Sequence, residues 1–282
     1  MRRFRLGDLT VSALLDGELA TNDGLFAGST IAELGALKTR AFLDPGPVRL
    51  PVNVYAIEGP RGLTLIDAGS GTAMGPDAGH LADSLRAAGL DPASVGTVLL
   101  THLHADHSPG LLGPGAQAMF PSAEIVLAAA ERAYWFDEGN FSRASAEARP
   151  SFLIARASIQ PYAARTRLFE GDGEVLPGIT AVGLPGHTPG HTGYLVSSGG
   201  RDLLIWGDIV HVGAFQFPRP DISIAYDVDA AAARATRARI MDRAASERLL
   251  VAGMHVDFPG FGHLRREGAG YDFIPAPFRR VL

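Results

Sequence analysis

In Thr101-His-Leu-His-Ala-Asp-His107, three imidazoles and one carboxylate lie within six positions, directly after the apolar run Val95-Gly-Thr-Val-Leu-Leu100. Imidazoles gathered at the end of a buried strand would repel one another if protonated, whereas a divalent cation accommodates them through their neutral nitrogens. A lone histidine is more often a hydrogen-bonded core residue than a ligand; the cluster reverses that weighting. Of nine histidines, eight fall in four short segments: His102, His104 and His107; His187 and His191; His211; and His255 and His263. Only His80 stands apart. Each segment follows or ends a predicted strand and is rich in Gly or Pro, the setting in which loops carry reactive side chains on a rigid scaffold.

Composition narrows what those residues can be used for. The chain has 282 residues, 46% hydrophobic, enough for a substantial core. Its formal charge is −5, with acids and bases interspersed and no run of like charge, so neither nucleic acid nor an anionic membrane is an expected partner. Cysteine is absent, which excludes disulfides, a thiolate nucleophile and Cys-ligated metal. Any metal must sit on His and carboxylate. Gly7 and Asp8 interrupt the basic N-terminus before an apolar stretch of signal length can form, and no charge-free apolar run reaches a membrane span, so the expected location is cytoplasmic.

The elements that must position these residues fall into two clusters. Val52–Ile57 and Leu63–Ile66 read as strands of a hairpin around Gly59-Pro-Arg-Gly62, ending at Asp67-Ala-Gly69. Helical spacing follows from Asp77, a candidate cap, to Leu90, and then a buried strand at 95–100 leads into the His cluster. The second half repeats the theme, with strands at 179–184, 194–196, 203–206 and 249–251 and an Ala-rich helix near 229–245. Two strand clusters, each accompanied by helices, predict an α/β fold of two sheets packed face to face with helices outside, a four-layer αββα sandwich. No low-complexity linker splits residues 1–282, and one domain is expected. Residues 20–50, rich in Gly, Pro and small side chains, and a helical, aromatic insert at 130–165 fit less well. Either could line a pocket, although each aromatic there could equally be packing.

Together, His102-x-His104-x-Asp106-His107, Gly186-His187-Thr-Pro-Gly-His191, Trp206-Gly-Asp208 and Gly253-Met-His255 resemble the signature of the metallo-β-lactamase superfamily, from about Val52 onward. The resemblance implies one cation on His102, His104 and His187, a second on Asp106, His107 and His255, and Asp208 bridging both. Zinc is the usual occupant, with iron, manganese or cobalt also found in the superfamily. Two cations about 3.5–4 Å apart can hold a bridging hydroxide and polarise a carbonyl or phosphoryl oxygen. Asp106 is also a candidate to pass a proton to the leaving group. Asp67 corresponds to the superfamily's early aspartate, as a support for a ligand or as the cap of its own turn.

The stretch His255-Val-Asp-Phe-Pro-Gly-Phe-Gly-His263, with Gln216-Phe217, Pro220 and Asp227-Val-Asp229, is similar to the branch containing methyl parathion hydrolase and related lactonases and arylesterases. That similarity implies hydrolysis of a lactone or aryl ester, with weak phosphotriesterase activity. It also implies Trp135 and Phe152 as pocket aromatics and allows a homodimer. His211, three residues after Asp208, is expected to face the substrate as a donor, where lactonases of the superfamily often carry a Tyr. The rival readings are an organophosphate hydrolase, a glyoxalase II-like thioesterase, whose basic helical C-terminal region is not evident here, and a metal-containing sensor that keeps the ligands but closes the pocket.

Overall fold

The structure, a computed structural model, describes residues 2–277. In chain order it contains β1 (Arg2–Leu6), β2 (Leu9–Thr21), β3 (Phe26–Ala27), α1 (Ile31–Arg40), β4 (Val48–Gly59), β5 (Gly62–Ile66), α2 (Leu81–Ala87), β6 (Val95–Leu99), β7 (Glu124–Ala128), α3 (Ala129–Phe136), α4 (Glu138–Arg143) and α5 (Arg149–Ile159). The second half adds β8 (Thr166–Phe169), β9 (Gly173–Leu176), β10 (Ile179–Gly183), β11 (Thr192–Ser198), β12 (Arg201–Ile205), α6 (Gly213–Gln216), β13 (Ser223–Ile224), α7 (Ala230–Ser246), β14 (Leu250–Ala252), β15 (Phe261–Glu267) and β16 (Gly270–Pro275).

Two mixed sheets of seven strands result, in the orders β1-β2-β4-β5-β6-β7-β8 and β16-β15-β14-β12-β11-β10-β9, with β3 and β13 forming a small separate pair. Side-chain alternation along the strands builds the layers. Tyr55, Ile57, Ile66, Leu99 and Val126 point inward and meet Ile179, Tyr194, Val196, Leu203, Ile205 and Ala252 of the facing sheet. Their sequence neighbours Val54, Ala56, Leu65, Val98, Ile125 and Leu127 point outward, against Leu81 and Leu85 of α2 and the α3–α5 insert. On the far side Leu204 and Val251 pack beneath Ile240, Met241 and Ala244 of α7. Each such buried aliphatic side chain contributes roughly 1.5–3 kcal/mol relative to exposure. The architecture is the four-layer αββα sandwich expected from the sequence.

Local differences have local causes. The expected helix from Asp77 to Leu90 starts only at Leu81, because Gly79 adopts φ +90°, and Asp77 pairs with Arg49 instead of capping it. The first turn is closed from outside by the buried carboxylate of Asp16, which accepts from the amides of Gly79 and Leu81 at 3.0 and 2.9 Å. Within residues 20–50 stands α1, started by a capping box in which Thr30 and Glu33 satisfy each other's amides. The aromatic insert is helical, as α3, α4 and α5.

Candidate metal centre

Five loops converge at one end of the sandwich, and each follows a strand. Asp67 follows β5, His102–His107 follow β6, His187 follows β10, Asp208 follows β12 and His255 follows β14. Strands β5 and β6 run parallel, as do β12 and β14, while β10 shares their direction because it is antiparallel to β11, which is antiparallel to β12. Gly207 sits here at φ +60°, where a Cβ would lie 2.4 Å from His191 Nε2. That position requires glycine on both counts.

The structure brings all seven sequence-derived candidates together. Ligand atoms of His102, His104 and His187 lie within 4.8 Å of one another, as do those of Asp106, His107, Asp208 and His255. Asp208 faces both sets: its Oδ2 is 3.1 Å from His255 Nε2, 3.2 Å from His107 Nε2, 3.4 Å from His187 Nε2 and 3.7 Å from His102 Nε2. The Oδ2 atom of Asp106 is 3.3 Å from His255 Nε2 and 3.4 Å from His107 Nε2. Most of this centre is buried; Asp106, with 16% of its side chain exposed, and His104 open it to solvent.

The outward nitrogens show what the inward ones are for. His107 Nδ1 donates to Asp67 (2.8 Å), His187 Nδ1 to Asp227 (2.9 Å), His255 Nδ1 to the Pro51 carbonyl (2.8 Å) and His102 Nδ1 to the Thr101 hydroxyl (3.0 Å). The Thr101 hydroxyl can accept because its own proton goes to Asp67 at 2.8 Å. With Nδ1 committed outward, each of these four rings turns Nε2 into the centre, and in the neutral ring that nitrogen is the unprotonated one, the tautomer a metal-bound imidazole needs. His104 Nδ1 lies 3.0 Å from His102 Nε2 and 2.9 Å from His187 Nε2, three nitrogens that a single shared proton cannot reconcile. His107 Nε2 and Asp208 Oδ1 are buried with no hydrogen-bond partner. A donor set of converging lone pairs and orphaned polar atoms fits divalent cations.

Charge is unevenly shared across the centre, and His187 of the three-imidazole set is raised above the ordinary value because Asp208 and Asp227 outweigh its burial. Burial, then neighbouring imidazoles, hold the proton affinities of His102 and His104 well below the ordinary value. Burial also acts against charge on His107 and His255, but the carboxylates outweigh it: Asp208 and Asp106 push His107 well up and His255 to about 10. Burial pushes the Asp208 and Asp106 carboxyls up in turn, and the imidazoles around them more than reverse this, leaving both well below the carboxylate range.

The remaining candidates find distinct places. His211 lies against the centre, its Nε2 3.3 Å from Asp208 Oδ2, with neither ring nitrogen otherwise partnered. Gln216 holds it there by accepting from its amide at 2.7 Å. Burial pushes the His211 imidazole down to about 4, so it is neutral near pH 7. Asp67 does more than shape its turn, since it grips both Thr101 and His107. Trp135 meets His104 edge-on, ring centroids 5.5 Å apart. Phe152 stands behind Trp135, packed on Tyr134, Trp135 and Phe141, so its ring backs the indole and meets none of the imidazoles. His191 Nε2 accepts from the Asp208 amide at 2.9 Å, buttressing the loop, and His263 bonds to the Leu249 carbonyl.

Among the supports that sequence reasoning passed over are Thr101; Asp227, which orients His187; and Arg237 of α7, fully buried and donating to the carbonyls of Ile209, Pro220 and Ile222. Thr101 opens the His motif and could have been flagged; Asp227 entered only through the branch resemblance, and neither it nor Arg237 carries a local sign of a buried network.

Residues 47–255 match the Metallo-beta-lactamase superfamily, and the chain belongs to that superfamily. Among solved structures, the hydrolase AbOPH of the beta lactamase superfamily is 30% identical with a TM-score of 0.93, over 99% of this chain and 98% of that one. AidC, a dizinc quorum-quenching lactonase, shares the fold with the same score at 24% identity, over 99% of this chain and 98% of its own. Among curated proteins, the N-acyl homoserine lactonase AttM of Azorhizobium caulinodans is 30% identical over 172 residues, 52% of this chain and 60% of that protein. An N-acyl homoserine lactonase of Bacillus cereus is 27% identical over 58% of this chain and 65% of its own length. The chain thus spans somewhat less than two thirds of the curated relatives it matches.

Proposed function

We propose that this chain is a two-cation hydrolase, most simply a dizinc one, that opens lactones and cleaves aryl esters. The observation that carries the reading is the set of four outward-tethered imidazoles, which with His104 turn their remaining ring nitrogens into one centre that Asp208 shares. His102, His104 and His187 would hold one cation, Asp106, His107 and His255 the other, and Asp208 would serve both. Polarisation of the scissile carbonyl and activation of the attacking water are what two divalent cations supply in such a centre. The chain's own groups do the rest. Asp106, the carboxylate nearest solvent, is placed to carry a proton to the leaving oxygen as the ring opens. His211, neutral and otherwise unpartnered, donates to the substrate oxygen as charge develops there. Trp135, buried, backs His104 edge-on.

The lactone preference is supported by the N-acyl homoserine lactonases among the relatives and by His211, which polarises a pocket that a bulky phosphotriester would need roomy and apolar. We extend the reading to a single catalytic domain over residues 1–282, with the segments near 20–50 and 130–165 shaping the mouth, within the branch that contains methyl parathion hydrolase. Initial rates of the zinc-loaded protein on an N-acyl homoserine lactone, an aromatic-fused lactone, 4-nitrophenyl acetate, a phosphotriester and a glutathione thioester test it. Lactones should give the highest kcat/KM and the phosphotriester only weak turnover. Preference for the phosphotriester or the thioester would replace this reading with one of its two enzyme rivals, and no turnover of any of them by the zinc-loaded protein would favour the sensor.

A further inference from the structure

Glu131, in the first turn of α3, is fully buried, belongs to neither ligand set, and has four donors on one carboxylate. Its Oε1 accepts from the Leu103 amide (2.9 Å) and the Trp135 indole N–H (2.6 Å), and its Oε2 from the Thr188 hydroxyl (2.6 Å) and the Gly190 amide (3.0 Å). Leu103 sits between His102 and His104, and Thr188 follows His187. One carboxylate therefore ties together the two loops that supply all three imidazoles of the first set. Gly190 shows independently how closely they are docked, since a Cβ there would lie 2.2 Å from the Glu131 backbone nitrogen. The other set has separate supports: Asp67 behind His107, the Pro51 carbonyl behind His255, and Asn53 and Tyr55 on the carbonyls of the His255 loop.

We infer that Glu131 is a positioning residue for the three-imidazole set, fixing the separation of His102 and His104 from His187 without touching cation or substrate. Removing its charge should therefore loosen one cation and leave the other. A glutamine cannot replace it, because its amide NH2 would turn donors toward donors. The inference rests on the two-cation reading, and its test keeps the two apart.

Zinc-loaded wild type, Glu131→Gln, Thr188→Val and Asp16→Asn are equilibrated in buffers of graded free zinc. Zinc per chain is then measured by elemental analysis, with circular dichroism and melting curves on each sample. Asp16 is the control, an equally buried carboxylate that accepts from the amides of Ser70, Gly79 and Leu81 and meets neither loop of the three-imidazole set. Glu131→Gln should release one zinc at about 10–100-fold higher free zinc than wild type, the usual effect of losing a group that supports ligands, with the second release unchanged. Thr188→Val, which removes one donor and keeps the carboxylate, should shift the same release by several-fold, and it decides the matter if Glu131→Gln does not fold. Asp16→Asn should lower the melting temperature without separating the two releases. Equal weakening of both ions, no shift in either, or the same single-ion loss in Asp16→Asn would overturn the assignment. Wild type that never holds two zinc ions would instead overturn the two-cation reading itself.

Discussion

The two halves of the candidate metal centre sit side by side yet gather different amounts of negative charge, with only His187 of the first half raised by carboxylates. His102, His104 and His187 bring three imidazoles and no carboxylate of their own, and burial and crowding keep His102 and His104 neutral. Asp106, His107, His255 and the shared Asp208 form a network in which the carboxylates hold His107 and His255 strongly basic. Their supports differ too. Both imidazoles of the second half have an outward N–H fixed by a buried acceptor, whereas His104 in the first is held only by its loop and by the edge of Trp135. With less negative charge and one untethered ligand, the three-imidazole half should be the weaker cation site and the carboxylate-bearing half the tighter one.

The largest expected effect falls on the one residue common to both. Asp208→Ala should leave at most one ion per chain by elemental analysis. Its lactone turnover should drop by more than the roughly 10²–10³-fold typical of losing a single transition-state donor. Two tightly held ions in that variant would erase the division, because Asp208 would then serve neither half. Next come the paired variants His104→Ala and His255→Ala. The first should lose the more weakly held ion and keep the other through dialysis; the second should release its ion only together with a marked loss at the shared Asp208. Identical zinc release curves for both would show that the halves are equivalent.

Asp227→Asn sharpens the comparison from outside the ligand set. It weakens the acceptor behind His187 and should lower zinc affinity of the three-imidazole half by about 10–100-fold, read by chelator competition, with the other half unchanged. The smallest effect concerns chemistry alone. His211→Leu should keep both ions and lower lactone kcat/KM by roughly tenfold or more, the scale of one transition-state hydrogen bond, while sparing or raising phosphotriester turnover. Unchanged lactone kinetics would remove His211 from the reaction.

How far the sequence could be read follows the same division between ligands and supports. The convergence of the clustered histidines and Asp208 was legible because gathering polar, chargeable groups at strand ends is costly unless something holds them, so type and spacing betray them. The sandwich was legible because inner strands carry short apolar runs, Val54-Tyr-Ala-Ile57 in β4, Val98-Leu99 in β6 and Leu203-Leu-Ile205 in β12. The outer strands were not. Arg2-Arg-Phe-Arg-Leu6 in β1 and Phe261-Gly-His-Leu-Arg-Arg-Glu267 in β15, one strand in from the edge, carry charge, and only pairing with β2, and with β14 and β16, makes them strands. Glu131 and Asp227 went unread because nothing local distinguishes a carboxylate bound for a buried network from one facing water. Their meaning comes from residues 28 to 59 positions away.

The central claim is that two cations in this centre carry out lactone opening, and a titration of activity against metal tests it most directly. Purified protein is stripped by chelation until elemental analysis finds no transition metal, then reloaded with zinc in steps while lactone hydrolysis is followed. Turnover should vanish on stripping and return in full as occupancy approaches two zinc ions per chain. Undiminished turnover in protein verified to be metal-free, or full activity reached with a single ion bound, would contradict it.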